Sequence, residues 1–182
     1  GGCVGDSVAI PLRLLERGSM LRVGVPVVDP KAVERAFELG VGGTGEFSVG
    51  AAFTPNVPGP LKAEGTVLSL HDGRFTLEGP ASPGSAGYIG LCAVVRFGTV
   101  DILLQSRGGA SGDPQLLRHF GIEPKLYDMV VVKANTSFRL PYSKISDLIY
   151  CADTPGAGAA NLKHFTNAQI LAEVDALCQT LF

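Results

Sequence analysis

At 182 residues the chain suits one domain, or one domain with a small subdomain, and it is long enough to bury a sizeable core. Hydrophobic residues make up 46% and charged residues 18%, below the usual share of about a quarter, so much of the chain is interior or covered by something else. A net charge of −2 argues against a nucleic-acid groove or an anionic membrane as the main partner, and no apolar stretch is long enough to span a bilayer.

In chain order, a Gly-rich lead with Gly1, Gly2 and Gly5 precedes a helix through Val8, Ile10, Leu12, Leu14 and Leu15. Asp6 or Ser7 is placed to cap it, Pro11 falls in its first turn and Gly18 stops it. Glycines ahead of a helix start offer backbone N–H groups to an anion; they equally read as a flexible approach to the helix. Leu21 to Val28 reads as a strand. Asp29-Pro30 then opens a helix with Val33, Ala36, Phe37 and Leu39 on its apolar stripe, ended by Gly40.

From Gly42 the pattern becomes all-β. Glu46 to Ala51 and Lys62 to Leu70 read as strands. Asp72-Gly73, between Leu68-Ser69-Leu70 and Phe75-Thr76-Leu77, predicts a hairpin, with His71 as an exposed turn residue. After a loop from Gly79 to Gly87, Tyr88 to Phe97 and Val100 to Leu104 form a second, more buried hairpin turning at Gly98-Thr99. Its return strand runs out into Gln105-Ser106-Arg107 and then Gly108 to Gly112. Asp113-Pro114 starts another helix, which passes His119 and ends at Gly121.

The stretch from Asp128 to Arg139 carries the strongest hint of a site. Val130 to Val132 reads as a strand buried on both faces, and the chain then changes abruptly to Lys133, Asn135, Thr136, Ser137 and Arg139. In open α/β sheets ligands lie beyond the carboxyl ends of strands. A buried edge strand leading into a solvated loop fits the same residues. Phe138 to Leu148 reads as a short helix interrupted at Pro141, and Ile149 to Ala152 as a last strand. A capping box at Thr166 and Gln169 opens a closing amphipathic helix over 166–182. The fold class expected is α/β: one domain with a mixed β-sheet, two β-hairpins and flanking helices.

Cysteines 3, 92, 151 and 178 form no C-x-x-C pair and fit no zinc spacing, and Cys92 reads as a small core residue. With no signal peptide in view, the expectation is a reduced, cytoplasmic protein. His71, His119 and His164 form no H-E-x-x-H and no i, i+4 pair, so a metal site within this chain is not expected. Cys3, near a helix N-terminus, would need a histidine partner at no recognisable spacing to act as a nucleophile. The cations Lys133, Arg139 and Arg107 each come after an apolar strand and are suited to clamp a carboxylate or a peptide carbonyl.

Several spaced motifs carry a family resemblance. They are Gly1-Gly2 with Gly5-Asp6, Val27 to Val33, Asp72 to Pro80 (Asp-Gly-Arg-Phe-Thr-Leu-Glu-Gly-Pro), Ser106-Arg107 and Asp113-Pro114. The set is completed by Phe120 to Pro124, Val130 to Lys133 with Phe138-Arg139, and Asp153 to Gly156. Over residues 1 to about 165 the chain resembles the carboxy-terminal domain of the microcystin-degradation (MlrC) family of zinc metallopeptidases. The resemblance implies a partner, an amino-terminal catalytic domain of the same protein that holds zinc, with no cofactor in this chain. It also implies hydrolysis of linear microcystin peptides, with a peptide or small carboxylate as substrate. The substrate-binding residues expected here are Gly1, Gly2, Gly5, Asp6, Ser106, Arg107, Lys133, Asn135 and Arg139.

Three departures stand out. The Gly-rich motif begins before Gly1 in the family, so the chain reads as a carboxy-terminal piece that is not catalytic alone. Ser137 stands where the family has histidine, and Gly108 where a second basic residue is common. The amphipathic closing helix replaces a short basic tail. The alternative is a stand-alone module that binds a small anion or carboxylate, or a structural interface; homo-oligomerisation stays open.

Overall fold

The computed structural model describes residues 6–53, 58–134, 136–152 and 154. The lead glycines Gly1, Gly2 and Gly5, Asn135, and the capping box and closing helix expected after Asn161 lie outside the described residues.

The elements are α1 (Ala9–Glu16), β1 (Val23–Val28), α2 (Pro30–Leu39), β2 (Thr44–Val49), β3 (Leu61–His71), β4 (Arg74–Thr76) and β5 (Ala86–Tyr88). Then come β6 (Cys92–Phe97), β7 (Val100–Gln105), α3 (Gln115–Arg118), a 3-10 turn (Pro124–Leu126), β8 (Met129–Val130) and α4 (Arg139–Tyr142). Six strands form one mixed sheet in the order β2-β3-β6-β7-β1-β8, and β4 and β5 pair in a small sheet of their own. The α/β class, the mixed sheet and the buried hairpin at Gly98-Thr99 match the sequence expectation.

The central strands explain the long apolar runs, because both of their faces are covered. Val23, Val25 and Val27 of β1, Ala93, Val95 and Phe97 of β6, and Val100, Ile102 and Leu104 of β7 join one core, with Ala32, Val33 and Ala36 of α2 and Val8 ahead of α1. The alternate residues Cys92, Val94 and Leu103 join a second core with Phe75, Ile89, Leu116, Leu117, Phe120 and Ile122. On that face Ile122 crosses directly over Gly24, where a Cβ would meet its Cγ2 at 2.6 Å. Each fully buried aliphatic or aromatic side chain contributes about 1.5–3 kcal/mol relative to exposure.

The first core needs a bent strand. β3 pairs with β2 through Leu61–Thr66 and with β6 through Thr66–His71, with a bulge between Val67 and Ser69. The β2 arm so carried brings Gly50 onto Asp29, just beyond β1.

Five local expectations are corrected. Asp72-Gly73 turns the chain without pairing its two flanks: Leu70 and His71 sit opposite Ala93 and Cys92 of β6, and β4 pairs with β5. Val130–Val132 is not buried on both faces; β8 is a two-residue, half-buried edge strand beside β1. Neither Asp6 nor Ser7 is the N-cap of α1. That position is Val8, with Ser7 Oγ accepting from the Ala9 N–H at 3.4 Å. Ile149–Ala152 forms no strand, since no ladder partner among the described residues lies alongside it. Tyr88–Phe97 is broken at Gly90, whose φ of +68° ends β5 before β6 begins. The α2 reading holds: the Asp29 side chain accepts from the Ala32 N–H at 3.0 Å, Pro30 takes the first turn and Gly40 is the C-cap.

Candidate functional site

β1 runs parallel to both β7 and β8, so all three strands point toward one edge of the sheet; β1 and β7 end there together, and β8 stops beside Gly24, its chain continuing to Lys133. Each strand gives way to polar residues there: Asp29 after β1, Ser106 and Arg107 after β7, and Lys133 three residues after β8. The topology thus delivers two cations from the strands on either side of β1.

Asp29 is the keystone of this edge. It is 3% exposed; beyond capping α2 it takes the Gly50 N–H on Oδ2 at 2.8 Å, and its own N–H donates to the Gln105 carbonyl at 2.9 Å. Asp6 is equally buried. Its Oδ2 accepts from the Phe53 N–H at 2.9 Å, and its carbonyl accepts from the Ala51 N–H at 3.0 Å. Gly50 lies so close that a Cβ there would sit 2.6 Å from the Asp6 carbonyl oxygen. Asp6 therefore ties the lead-in of α1 to the turn after β2.

Lys133 is half-buried, and its Nζ donates to the Ser7 carbonyl at 2.6 Å. Its own carbonyl accepts from Ser111 Oγ at 2.6 Å. One residue thereby joins the exit of β8, the approach to α1 and the Gly-rich loop after β7. Ser106 and Arg107 extend the β7 ladder by backbone bonds to the carbonyls of Leu91 (3.0 Å) and Ile89 (2.9 Å). The Arg107 guanidinium is exposed, 5.6 Å from the centre of the Tyr88 ring, and Arg74 approaches the same ring at 5.5 Å.

Arg139 comes from α4 instead. It lies over Phe138, and its Nη2 is 3.4 Å from Cys151 Sγ. The structure thus gathers Asp6, Ser106, Arg107 and Lys133 along one edge and sets Arg139 on a separate element; Gly1, Gly2, Gly5 and Asn135 are not described. Sequence reasoning missed the Ser7 carbonyl, Ser111 and the joining role of Asp29. The first two carry no sequence signal, because a backbone acceptor and a loop serine look alike everywhere. Asp29 was visible as a cap, but its second oxygen is spent on a residue 21 positions away.

A carboxylate with a lowered pKa lies elsewhere. Asp101, opposite Gly24 and Arg96 in the ladder, is 1% exposed and receives Arg96 Nε and Nη2 at 2.7 and 2.8 Å and the Tyr127 hydroxyl at 2.7 Å. Burial works to raise its pKa. The bonds from Arg96 and Tyr127, with the charges of Arg96 and Arg22, outweigh burial and hold it below the ordinary carboxylate range. The same burial and bond push the Tyr127 hydroxyl up to about 12. Removed from the strand exits, this cluster is an architectural tie among β6, β7 and the Tyr127 segment.

His71 and His119 both pack edge-on against Phe120, at 5.1 and 5.0 Å between ring centres. His71 is half-buried rather than exposed, with Nε2 2.9 Å from Ser69 Oγ. Burial, then the charge of His119, lowers its pKa against the opposing pull of Asp72. Cys92 is a buried free thiol whose pKa is raised to about 12 by burial and by Asp72, unsuited to nucleophilic work. Among the described residues no group of three or more His, Cys, Asp or Glu is arranged to hold a metal ion, so zinc does not fit these residues. Nor is any described helix long and apolar enough to cross a membrane.

Comparison with known proteins places these features. The family described as MlrC C-terminus matches residues 1–169. Microcystinase C from Sphingomonas sp is 24% identical over 167 residues, covering 91% of this chain and 31% of that protein. The crystal structure of a proposed metallopeptidase from Mesorhizobium sp. BNC1 superposes with a TM-score of 0.83 at 33% identity, over 91% of this chain and 33% of that one. The chain thus spans about a third of the length of these relatives. It belongs to the MlrC C-terminus family.

Proposed function

We propose that this chain is the substrate-binding carboxy-terminal domain of an MlrC-like zinc-dependent hydrolase acting on peptides, with linear microcystin peptides as the reference substrate class. Zinc belongs, on this reading, to an amino-terminal domain, which is also the partner that packs on this one. The observation that carries the reading is the shared edge: Arg107 and Lys133 leave the strands flanking β1, and the Lys133 ammonium is drawn to Ser7 beside the Gly-rich lead. A cationic edge beyond parallel strands suits the binding of a substrate carboxylate or a polarised peptide carbonyl. These side chains bind and orient; Arg107 has its guanidinium in solvent, and Lys133 is held by its neighbours. Asp6 and Ser106 shape the backbone there through their bonds to the turn after β2 and to Leu91.

Packing against a second domain is supported by exposed apolar side chains in one stretch: Leu140 (59%), Leu148 (72%) and Tyr150 (86%). The free thiols of Cys92 and Cys151 suit a reducing, cytoplasmic setting. The test uses the full-length protein. Lys133→Ala and Arg107→Ala are each expected to lower kcat/KM by tenfold or more, the loss of about 1.4 kcal/mol of charge-assisted binding. Values within twofold of the unsubstituted enzyme would sink the assignment.

A further inference from the structure

The β4–β5 ribbon, unexpected from the sequence, does more than close a turn. It is fastened to the exit of β7 at its base: Ile89 N–H donates to the Gly73 carbonyl at 3.0 Å, Arg107 N–H to Ile89, and Ser106 N–H to Leu91. Within the ribbon Arg74 stands directly opposite Tyr88. The result is two guanidiniums, from positions 33 residues apart in sequence, gathered on one half-exposed tyrosine ring at 5.5 and 5.6 Å.

Bringing like charges to one ring is unfavourable unless something offsets their repulsion. The ring face offsets part of it. Among the described residues no carboxylate pairs with Arg107, while Arg74 has an exposed contact with Asp72 at 3.7 Å. Such a long, solvated pair is worth little and is readily exchanged for a better acceptor. Leu91, half-exposed beside Ser106, adds an apolar flank.

We propose that Arg74, Tyr88 and Arg107 form a carboxylate-binding subsite at the exit of β7, which grips an acidic group of the substrate. The proposal rests on the substrate-binding reading above and names the chemistry recognised: the carboxylate of an acidic side chain or of a chain terminus. Arg74 and Tyr88 then belong to substrate selection, with Asp72 as the internal competitor that keeps the subsite from holding any passing anion.

The test is a titration of the protein with glutarate, acetate and inorganic phosphate, read on the Arg Nε–Hε and Tyr88 ring signals by NMR. Saturable shifts at Arg74, Tyr88 and Arg107 with the carboxylates are expected. Arg74→Gln and Arg107→Gln should each raise Kd about tenfold, and Asp72→Asn should lower it. Both arginines are exposed, so thermal melts of the variants should superpose on the parent's. The proposal is overturned if the carboxylates give no saturable shift, if phosphate binds as tightly as glutarate, or if Lys62→Gln, remote on β3, weakens binding as much as Arg74→Gln. Such a failure alongside an intact tenfold effect of Lys133→Ala on turnover would remove this subsite and leave the substrate-binding domain standing.

Discussion

Gly73 shows how much one missing side chain decides. Its φ is +77°, and a Cβ there would meet the Gly90 carbonyl oxygen at 1.7 Å, a distance no relaxation of a side chain relieves. Gly18 has a similar φ of +62° with nothing within 4 Å. Gly18→Ala should therefore cost about 1 kcal/mol, the backbone term alone. Gly73→Ala should cost roughly 3 kcal/mol or more, because buried backbone must shift as well. Urea denaturation of both variants checks the difference, and equal losses would mean that the Gly73–Gly90 crossing gives way freely. Part of this was legible in the sequence: Asp72-Gly73 announces a turn with a positive φ. Which segment the turn meets was not, because the oxygen it crowds belongs to a residue 17 positions later.

Among the elements, legibility tracked the source of the stabilising contacts. α2 was readable because its cap, its proline and its apolar stripe are all local. β6 and β7 were readable because a run buried on both faces and a two-residue turn leave few other arrangements. β8 misled, since it has β1 on one side only: Val130 packs on the second core and Val131 on the first, and both stay half-buried at the sheet's edge. The hairpin expected at residues 68–77 failed for a related reason: the Gly73 carbonyl takes the Ile89 N–H, drawing the chain toward 86–89. The candidate site was legible as a list of cations after apolar strands. The parallel pairing that sets two of them on one edge is a long-range fact that no local pattern encodes.

Taken whole, the molecule should lose stability to acid in two stages. The folded state holds the His71 pKa below its ordinary value of about 6.5, so between that value and the folded one the unfolded chain binds more protons and stability falls as pH falls. The folded state likewise holds Asp101, and Glu123 through its bonds from Arg118, below the ordinary carboxylate range. Their contribution is complete above about pH 4 and is lost as pH drops through their folded values. Unfolding free energies across this range should show both declines. His71→Phe, which keeps a ring against Phe120, should remove the upper one and leave the lower; an unchanged upper decline would place its origin elsewhere.

The crossing of Gly73 and Gly90 also fixes where length can vary. The ribbon is pinned at its base, and Asp113 Oδ2 holds the Glu78 and Gly79 N–H groups at 3.1 and 2.7 Å, while the tip from Ala81 to Ser85 is exposed. A short epitope spliced between Ala81 and Ser82 should leave the melting temperature within a few degrees of the parent's, since an added loop residue costs little closure entropy. The same splice between Asp72 and Gly73 should unseat the arginine it was meant to report on, which makes the tip the natural handle for fluorophores or surface immobilisation.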